Sequence, residues 1–420
     1  ISLSQLIPPL DQITTADTLF IATMDSLFTE ADIDKSKQLL RWTCENRPET
    51  LKRACFGLAA WHNRWNVPDI NAFDGQLDDA QLRKSIAEKI PDNWIFSASE
   101  LNSYANCPWS FFAKYLLHLT AVSEPEVLLE PELRGIFCHE VLRGVMESLA
   151  KQFDKPLRLD KIDDEIIRSE LAKAVEIERN RLAFNLTHTQ LWKSQTEYWK
   201  NLLEHYLLTQ KSLAQQQQDT FSIGSLYFEL AFGSGKRGGY VDEKSQSDPV
   251  KITIPINQDD SLTFLLAGRI DRIDKITTAD GRTSLLAIDY KTGNLSSRKD
   301  IIEARDLQLP LYIAALEAIF HSPCAGGVYH SLRKDETRPF IVYPELAPYP
   351  HNKKGKEETD GKKILSNIMS IIGKYIMEMR KGNFRVLPAD EHCSQWCPYR
   401  QICQYSARRA KWKKKDEQST

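Results

Sequence analysis

Two acids and a lysine stand where a buried strand should have no charge. The segment Leu285-Leu286-Ala287-Ile288-Asp289-Tyr290-Lys291-Thr292-Gly293 reads as a buried strand that terminates in Asp289 and Lys291. Side chains two apart on a strand share a face, so these two project together just before Gly293 lets the chain turn. Upstream, Gly268-Arg269-Ile270-Asp271-Arg272-Ile273-Asp274 reads as the partner strand of a hairpin, and an in-register pairing brings Asp271 close to Asp289. Two carboxylates at one point repel each other unless a cation sits between them, and oxygen ligands of this kind suit Mg2+ or Mn2+. Such a metal neutralises charge on a scissile phosphate and activates a water, while a lysine alongside can orient that water or stabilise the pentacovalent charge. Those are the requirements of phosphodiester hydrolysis. Taken alone, Asp-x-Lys reads as a surface salt bridge; the upstream motif and the buried approach favour a site. Asp274 reads equally as an exposed charge and is left outside it.

A second feature is the cysteine spacing. Of the eight cysteines, Cys393, Cys397 and Cys403 fall within eleven residues, as C-x3-C followed by C-x5-C. Thiols so close together are more readily explained as metal or cluster ligands than as packing residues. Cys44, Cys55, Cys138 and Cys324 show no such spacing and read as buried small residues.

The elements that must position these residues follow from periodicity. Residues 1–95 read as mostly helical, with Leu51, Ala54, Cys55, Leu58 and Trp61 at helical spacing. A helix capped by Ser97 or Ser99 runs into Cys107-Pro108, which divides it. Further helices are expected over 133–149 and across 161–218. The period then changes to that of strands at 221–232, 250–256, 262–276 and 284–290, with Asp280-Gly281 marking a hairpin between the last two. A helix over 304–320, a strand at 326–331, a loop from His351 to Lys363 and a helix over 364–381 complete the reading.

Bulk properties narrow the function. The chain has 420 residues, 42% of them apolar, enough for a sizeable core in one large domain or in two or three smaller ones. The net charge of −2 leaves nucleic-acid binding open, because a basic surface is needed only where phosphates lie. Arg408, Arg409, Lys411, Lys413, Lys414 and Lys415 form one basic run, which by itself reads as a solvated tail. No run of about eighteen apolar residues is present, so no membrane partner is expected. There is no Walker-type phosphate loop, since Gly233-Ser234-Gly235-Lys236 has the wrong spacing, and ATP-driven chemistry is not expected. No signal segment opens the chain, and a cytoplasmic protein is expected.

Taken in order, these motifs resemble the PD-(D/E)XK nuclease superfamily, and within it the RecB and AddB type of nuclease domain. That pattern begins with a helix histidine, here His139 in Gly135-Ile136-Phe137-Cys138-His139-Glu140. Asp271 follows in its Gly-x-x-Asp context, then Asp289 and Lys291, then Gln308 and Tyr312 four apart on a helix. The resemblance implies an α/β, restriction-endonuclease-like core with a central mixed sheet flanked by helices, and an additional helical N-terminal segment. It places the nuclease domain over residues 96–405, after a segment over 1–95 that resembles the end of a helicase-like region, and before a basic tail over 406–420. His139, Asp271, Asp289 and the Tyr290 carbonyl would ligate Mg2+ or Mn2+, Lys291 would assist hydrolysis, Gln308 would position the strand or the lysine, and Tyr312 would lie one turn along. Cys107, in Cys107-Pro108-Trp109, resembles the distant first cysteine that joins Cys393, Cys397 and Cys403 around a [4Fe-4S] cluster, with zinc as the alternative. The family more often shows C-x2-C at the first of these spacings, and His392 is an alternative ligand beside Cys393. The implied activity is that of a deoxyribonuclease, an exonuclease on single-stranded DNA, working with a helicase partner subunit in double-strand break repair and recombination. A stand-alone RecB-family exonuclease, a CRISPR-adaptation nuclease and a non-catalytic DNA-binding iron–sulfur scaffold are the alternatives.

Overall fold

The computed structural model describes residues 12–28, 33–120, 131–183, 189–233, 242–256, 260–334, 336–349, 360–389, 393 and 397–417. The expected loop from His351 to Lys363 therefore lies outside the described residues as far as 359. Contacts gather the chain into two units, one of Ile1–Arg83, Gly382–Leu387 and Glu391–Thr420, the other of Lys84–Lys381 and Pro388–Asp390.

The first unit is built on the helices Ala16–Phe28, Ile33–Asn46 and Pro48–Trp65, with a further helix over Ala407–Glu417. The basic run that reads as a solvated tail is in part buried. Arg409 and Lys413 are only 6% and 4% exposed, and Lys413 Nζ hydrogen-bonds the Asp74 carboxylate and the Asn63 carbonyl, the latter at 2.9 Å. A buried lysine needs a counter-charge, and Asp74, 339 residues away in sequence, supplies it. Cys44 and Cys55 also depart from expectation: both are exposed, on the outer faces of their helices, whereas Cys138 and Cys324 are buried as expected.

The second unit holds a seven-stranded sheet. Its strands are β1 (Ile95–Ser97), β2 (Phe221–Phe232), β3 (Val250–Pro255), β4 (Ser261–Thr278), β5 (Thr283–Lys291), β6 (Cys324–Ser331) and β7 (Glu336–Ile341). β4 organises it. Its first half pairs with β1 and β3, its second with β2 and β5, and the sheet continues through β6 to β7. β1–β4 and β5–β6 are parallel and the other pairs antiparallel, so the sheet is mixed, as the sequence reading expects.

Local chemistry accounts for the connections. Gly281, at φ 84°, supplies the left-handed turn between β4 and β5. Ser97 accepts from the Glu100 amide while the Glu100 carboxylate takes the Ser97 amide, a capping box that starts the helix Ala98–Asn106. Pro108 cannot donate to the turn before it, and Cys107 stands at the break.

β5 and β6 are buried almost throughout, which covers both faces of the sheet centre. Ile288 and Tyr290 join Phe137, Val141 and Leu142 of the helix Pro131–Phe153 in one core. Asp289, between them, instead meets Gln308 of the helix Gln308–Phe320. Alternate residues of β5 thus face different helices, as strand geometry requires.

Candidate active site

The register of the β4–β5 hairpin decides whether the two acids can meet. Arg272 pairs with Ile288 at the last position of the ladder, so the next position sets Asp271 opposite Asp289. Here the strands begin to part, and the Asp271 Oδ2 accepts from the Tyr290 amide at 2.7 Å in place of a ladder bond. The other oxygen, Oδ1, lies 3.3 Å from His139 Nδ1. His139 reaches this point because the apolar face of its helix packs into the core while its ring turns toward the strand end. Its Nε2 is 3.1 Å from the Tyr290 carbonyl oxygen. The sequence-predicted residues His139, Asp271 and Tyr290 are thus brought together around one point.

One residue there was not foreseen. Phe228 pairs with Arg272 and Leu230 with Ile270, so Glu229 of β2 lies opposite Asp271. His139, Glu229 and Asp271 place one ligand atom each within 4.8 Å of one another. Glu229 is 6% exposed and adopts φ 54°, a left-handed conformation that a residue with a side chain takes at a cost. The available signal was a lone acid in the otherwise apolar run Leu226-Tyr227-Phe228-Glu229-Leu230-Ala231-Phe232.

Asp289 occupies the neighbouring position and has its own partners. Lys291 Nζ stands 2.6 Å from Asp289 Oδ1 and 2.8 Å from Gln308 Oε1. The Gln308 amide nitrogen donates to Asp289 Oδ2 and to the Tyr312 hydroxyl, the latter at 3.0 Å. Tyr329 lies beneath the ammonium group, its ring centroid 5.1 Å away, and is held there by a 2.8 Å hydrogen bond from its hydroxyl to Asp306. Gln308 therefore grips the acid and the lysine at once, and Tyr312 holds Gln308.

The electrostatics follow from crowding acids in a place with little water. Burial, reinforced by Asp271, pushes Glu229 up to about 8. Burial, opposed by Lys291 and reinforced by Asp271, pushes Asp289 up to about 7. For Asp271 burial works against ionisation, but His139 and the Tyr290 amide outweigh it and hold the group below its usual range. Burial by itself would lower His139; the surrounding Asp271, Asp289 and Glu229 reverse this and bring it up to about 9. Lys291 is likewise raised, with Asp289 overcoming the effect of burial. His139, Glu229 and Asp271 packed this closely form a donor set suited to one hard divalent cation, whose charge would relieve the repulsion of the acids; the Asp289 carboxylate stands outside that set, taken up by Lys291 and Gln308. Beside it stands a fixed ammonium group, suited to a phosphate oxygen or a water.

Asp274, read equally as an exposed charge, is buried at 2% exposure and pairs with Arg272 at 2.9 Å on the opposite sheet face. Cys107 is half-buried at its helix break. In the other unit, burial and then the neighbouring Cys397 and Cys403 raise the Cys393 thiol, so these three sulfurs interact with one another.

Comparison with known proteins gives a family match over residues 95–404, to the PD-(D/E)XK nuclease superfamily. Among curated proteins, the chain is similar to the B-type subunit of the ATP-dependent helicase/deoxyribonuclease of Caldanaerobacter subterraneus subsp. tengcongensis, 24% identical over 400 residues that cover 82% of this chain and 33% of the relative. The subunits of the same description from Thermoanaerobacter sp. and Clostridium perfringens are 27% and 28% identical, covering 54% and 56% of this chain. This chain spans 33% of the first relative's length and 18% of each of the other two.

Proposed function

The chain belongs to the PD-(D/E)XK nuclease superfamily, and on that premise we propose that it hydrolyses DNA phosphodiester bonds with Mg2+ or Mn2+ held by His139, Asp271, Asp289 and the Tyr290 carbonyl. Glu229 is a further ligand in this reading. The observation that carries it is the convergence of His139, Glu229 and Asp271 beside the Asp289–Lys291–Gln308 group. When bound, such an ion supplies Lewis-acid neutralisation of charge at the phosphate. Lys291, kept protonated by Asp289, donates to a phosphate oxygen or holds the attacking water in line. Gln308 keeps Lys291 and Asp289 in one geometry, and Tyr312 fixes the Gln308 rotamer.

The relatives are described as helicase/deoxyribonuclease subunits, which supports a role as the nuclease part of an AddB-like helicase–nuclease complex with a partner subunit. The proposed substrate is single-stranded DNA cut exonucleolytically during double-strand break repair in the cytoplasm. Cys107, Cys393, Cys397 and Cys403 are proposed to hold a [4Fe-4S] cluster, with zinc as the alternative; the spacing of the last three supports this.

Cleavage of end-labelled single-stranded and duplex DNA with Mg2+ tests the reading. Lys291→Ala should lower the rate by about 10²–10³-fold, the cost of removing one preorganised donor. Equal, background-level cutting by both proteins would end the enzyme reading.

A further inference from the structure

Behind the hairpin, on the sheet face opposite Asp271 and Asp289, lies a cavity of about 190 Å³. It forms a slot between the helix Thr189–Gln216 and the sheet. Leu157, Leu159, Leu213, Ile223 and Leu286 supply apolar walls, and Tyr349 adds an aromatic ring to the lining. Arg272 and Asp274 also line it. Both belong to β4 and are buried, at 3% and 2% exposure.

The polar groups of this slot are incompletely matched. Arg272 Nη2 binds Asp274 Oδ2 at 2.9 Å, but its contacts to Tyr206, Tyr290 and Gln210 are long, at 3.3, 3.4 and 3.4 Å. Arg272 Nε and Asp274 Oδ1 find no hydrogen-bond partner among the described residues, and neither does Oε1 of Gln217, which lines the same cavity. Each unmatched buried group costs about 1–3 kcal/mol, and here a donor and two acceptors share one cavity. The volume far exceeds the 10–15 Å³ or so that a single water requires.

From this arrangement we propose that the cavity binds a neutral nucleobase, free or as its nucleoside. Three features select that class. The two charges in the slot cancel each other at 2.9 Å, so an ionic ligand would bring an uncompensated charge into a low-dielectric space. The space between helix and sheet is walled mainly by apolar side chains, which suits an aromatic ring. The unmatched N–H and the two unmatched oxygens call for a ligand that carries both an acceptor and N–H donors, as nucleobase edges do. His330 lies between Tyr206 and Tyr349, at 2.8 and 3.1 Å. The proposal is independent of the metal centre, although Arg272 adjoins Asp271 in β4.

The test is calorimetric titration of the full chain with adenine, cytosine, uracil and their nucleosides, with indole as an apolar control. At least one base should bind one-to-one below about 1 mM. Gln217→Leu, which removes one of the unmatched acceptors, should weaken that binding about tenfold, and Ala214→Phe, which fills the slot from the helix side, should abolish it. Circular dichroism of both variants should match the parent. If no base or nucleoside binds at millimolar concentration, if Ala214→Phe binds as tightly as the parent, or if indole binds as well as the bases, the proposal fails.

Discussion

Replacing Glu229 with glutamine should change how stability depends on pH, by an amount the site geometry sets. Burial and the adjacent Asp271 move the Glu229 carboxyl from an ordinary value of 4.5 to about 8. The folded protein then retains a proton that the unfolded chain has released. The stability this group contributes is complete below about pH 4.5 and is lost as pH rises through about 8, at up to about 1.4 kcal/mol per pH unit. Over that window the loss approaches about 5 kcal/mol for a shift from 4.5 to about 8. Asp289, raised to about 7, and His139, raised to about 9, act in the same direction.

Glutamine keeps the shape and removes the titration. In EDTA, the variant should therefore gain on the parent as pH rises from 5 to 9. At about 2 °C per kcal/mol or less, since the shift shrinks as domains grow, the difference in melting temperature grows by up to about 10 °C. Adding Mg2+ should reverse the order, because the parent regains the charge balance that the acids lack, whereas the variant has lost a ligand. Differential scanning calorimetry of both proteins across this pH range, with EDTA and with Mg2+, measures each arm. Parallel melting curves for the two proteins in EDTA at every pH would refute the reasoning, since Glu229 would then hold no displaced proton.

Other expectations follow from the same site and core. Exchange of the parent into EDTA should abolish DNA cleavage, and Mg2+ at a hundred times its dissociation constant should restore it with about 2.7 kcal/mol of added stability. A metal-stripped protein that still cuts would contradict the metal-dependent mechanism. Anaerobically purified protein should be brown and contain iron, and Cys403→Ser should lose most of it; a colourless protein with stoichiometric zinc would replace the cluster with the alternative. Ile288→Ala, at a fully buried position where β5 meets the helix that carries His139, should cost about 2–5 kcal/mol in urea unfolding. A loss below 0.5 kcal/mol or so, the range of surface changes, would mean that this core does not hold the site together.

The sequence is most informative where the physics is local. Ser97 and Glu100 stand three apart, so their capping box is readable from spacing alone. Asp280-Gly281 sets a tight turn, and a tight turn fixes the register of the strands it joins. The placement of Asp271 opposite Asp289 was therefore legible before any coordinates, as was the shared face of Asp289 and Lys291. Glu229 was not, because its position depends on pairing between β2 and β4 across a shift in register near Ser225 and Tyr227 that no local signal announces. The burial of Asp274 was equally hidden, since the chemistry of an aspartate does not tell which side of a strand will be covered by a helix. Arg409 and Lys413 read as solvated for the same reason: their counter-ion, Asp74, lies more than three hundred residues away. Composition and short-range spacing determined which residues could perform the chemistry. Only long-range packing, which sets burial and hence both the acid–base state of each group and the partners it meets, decided which of them share one point in space.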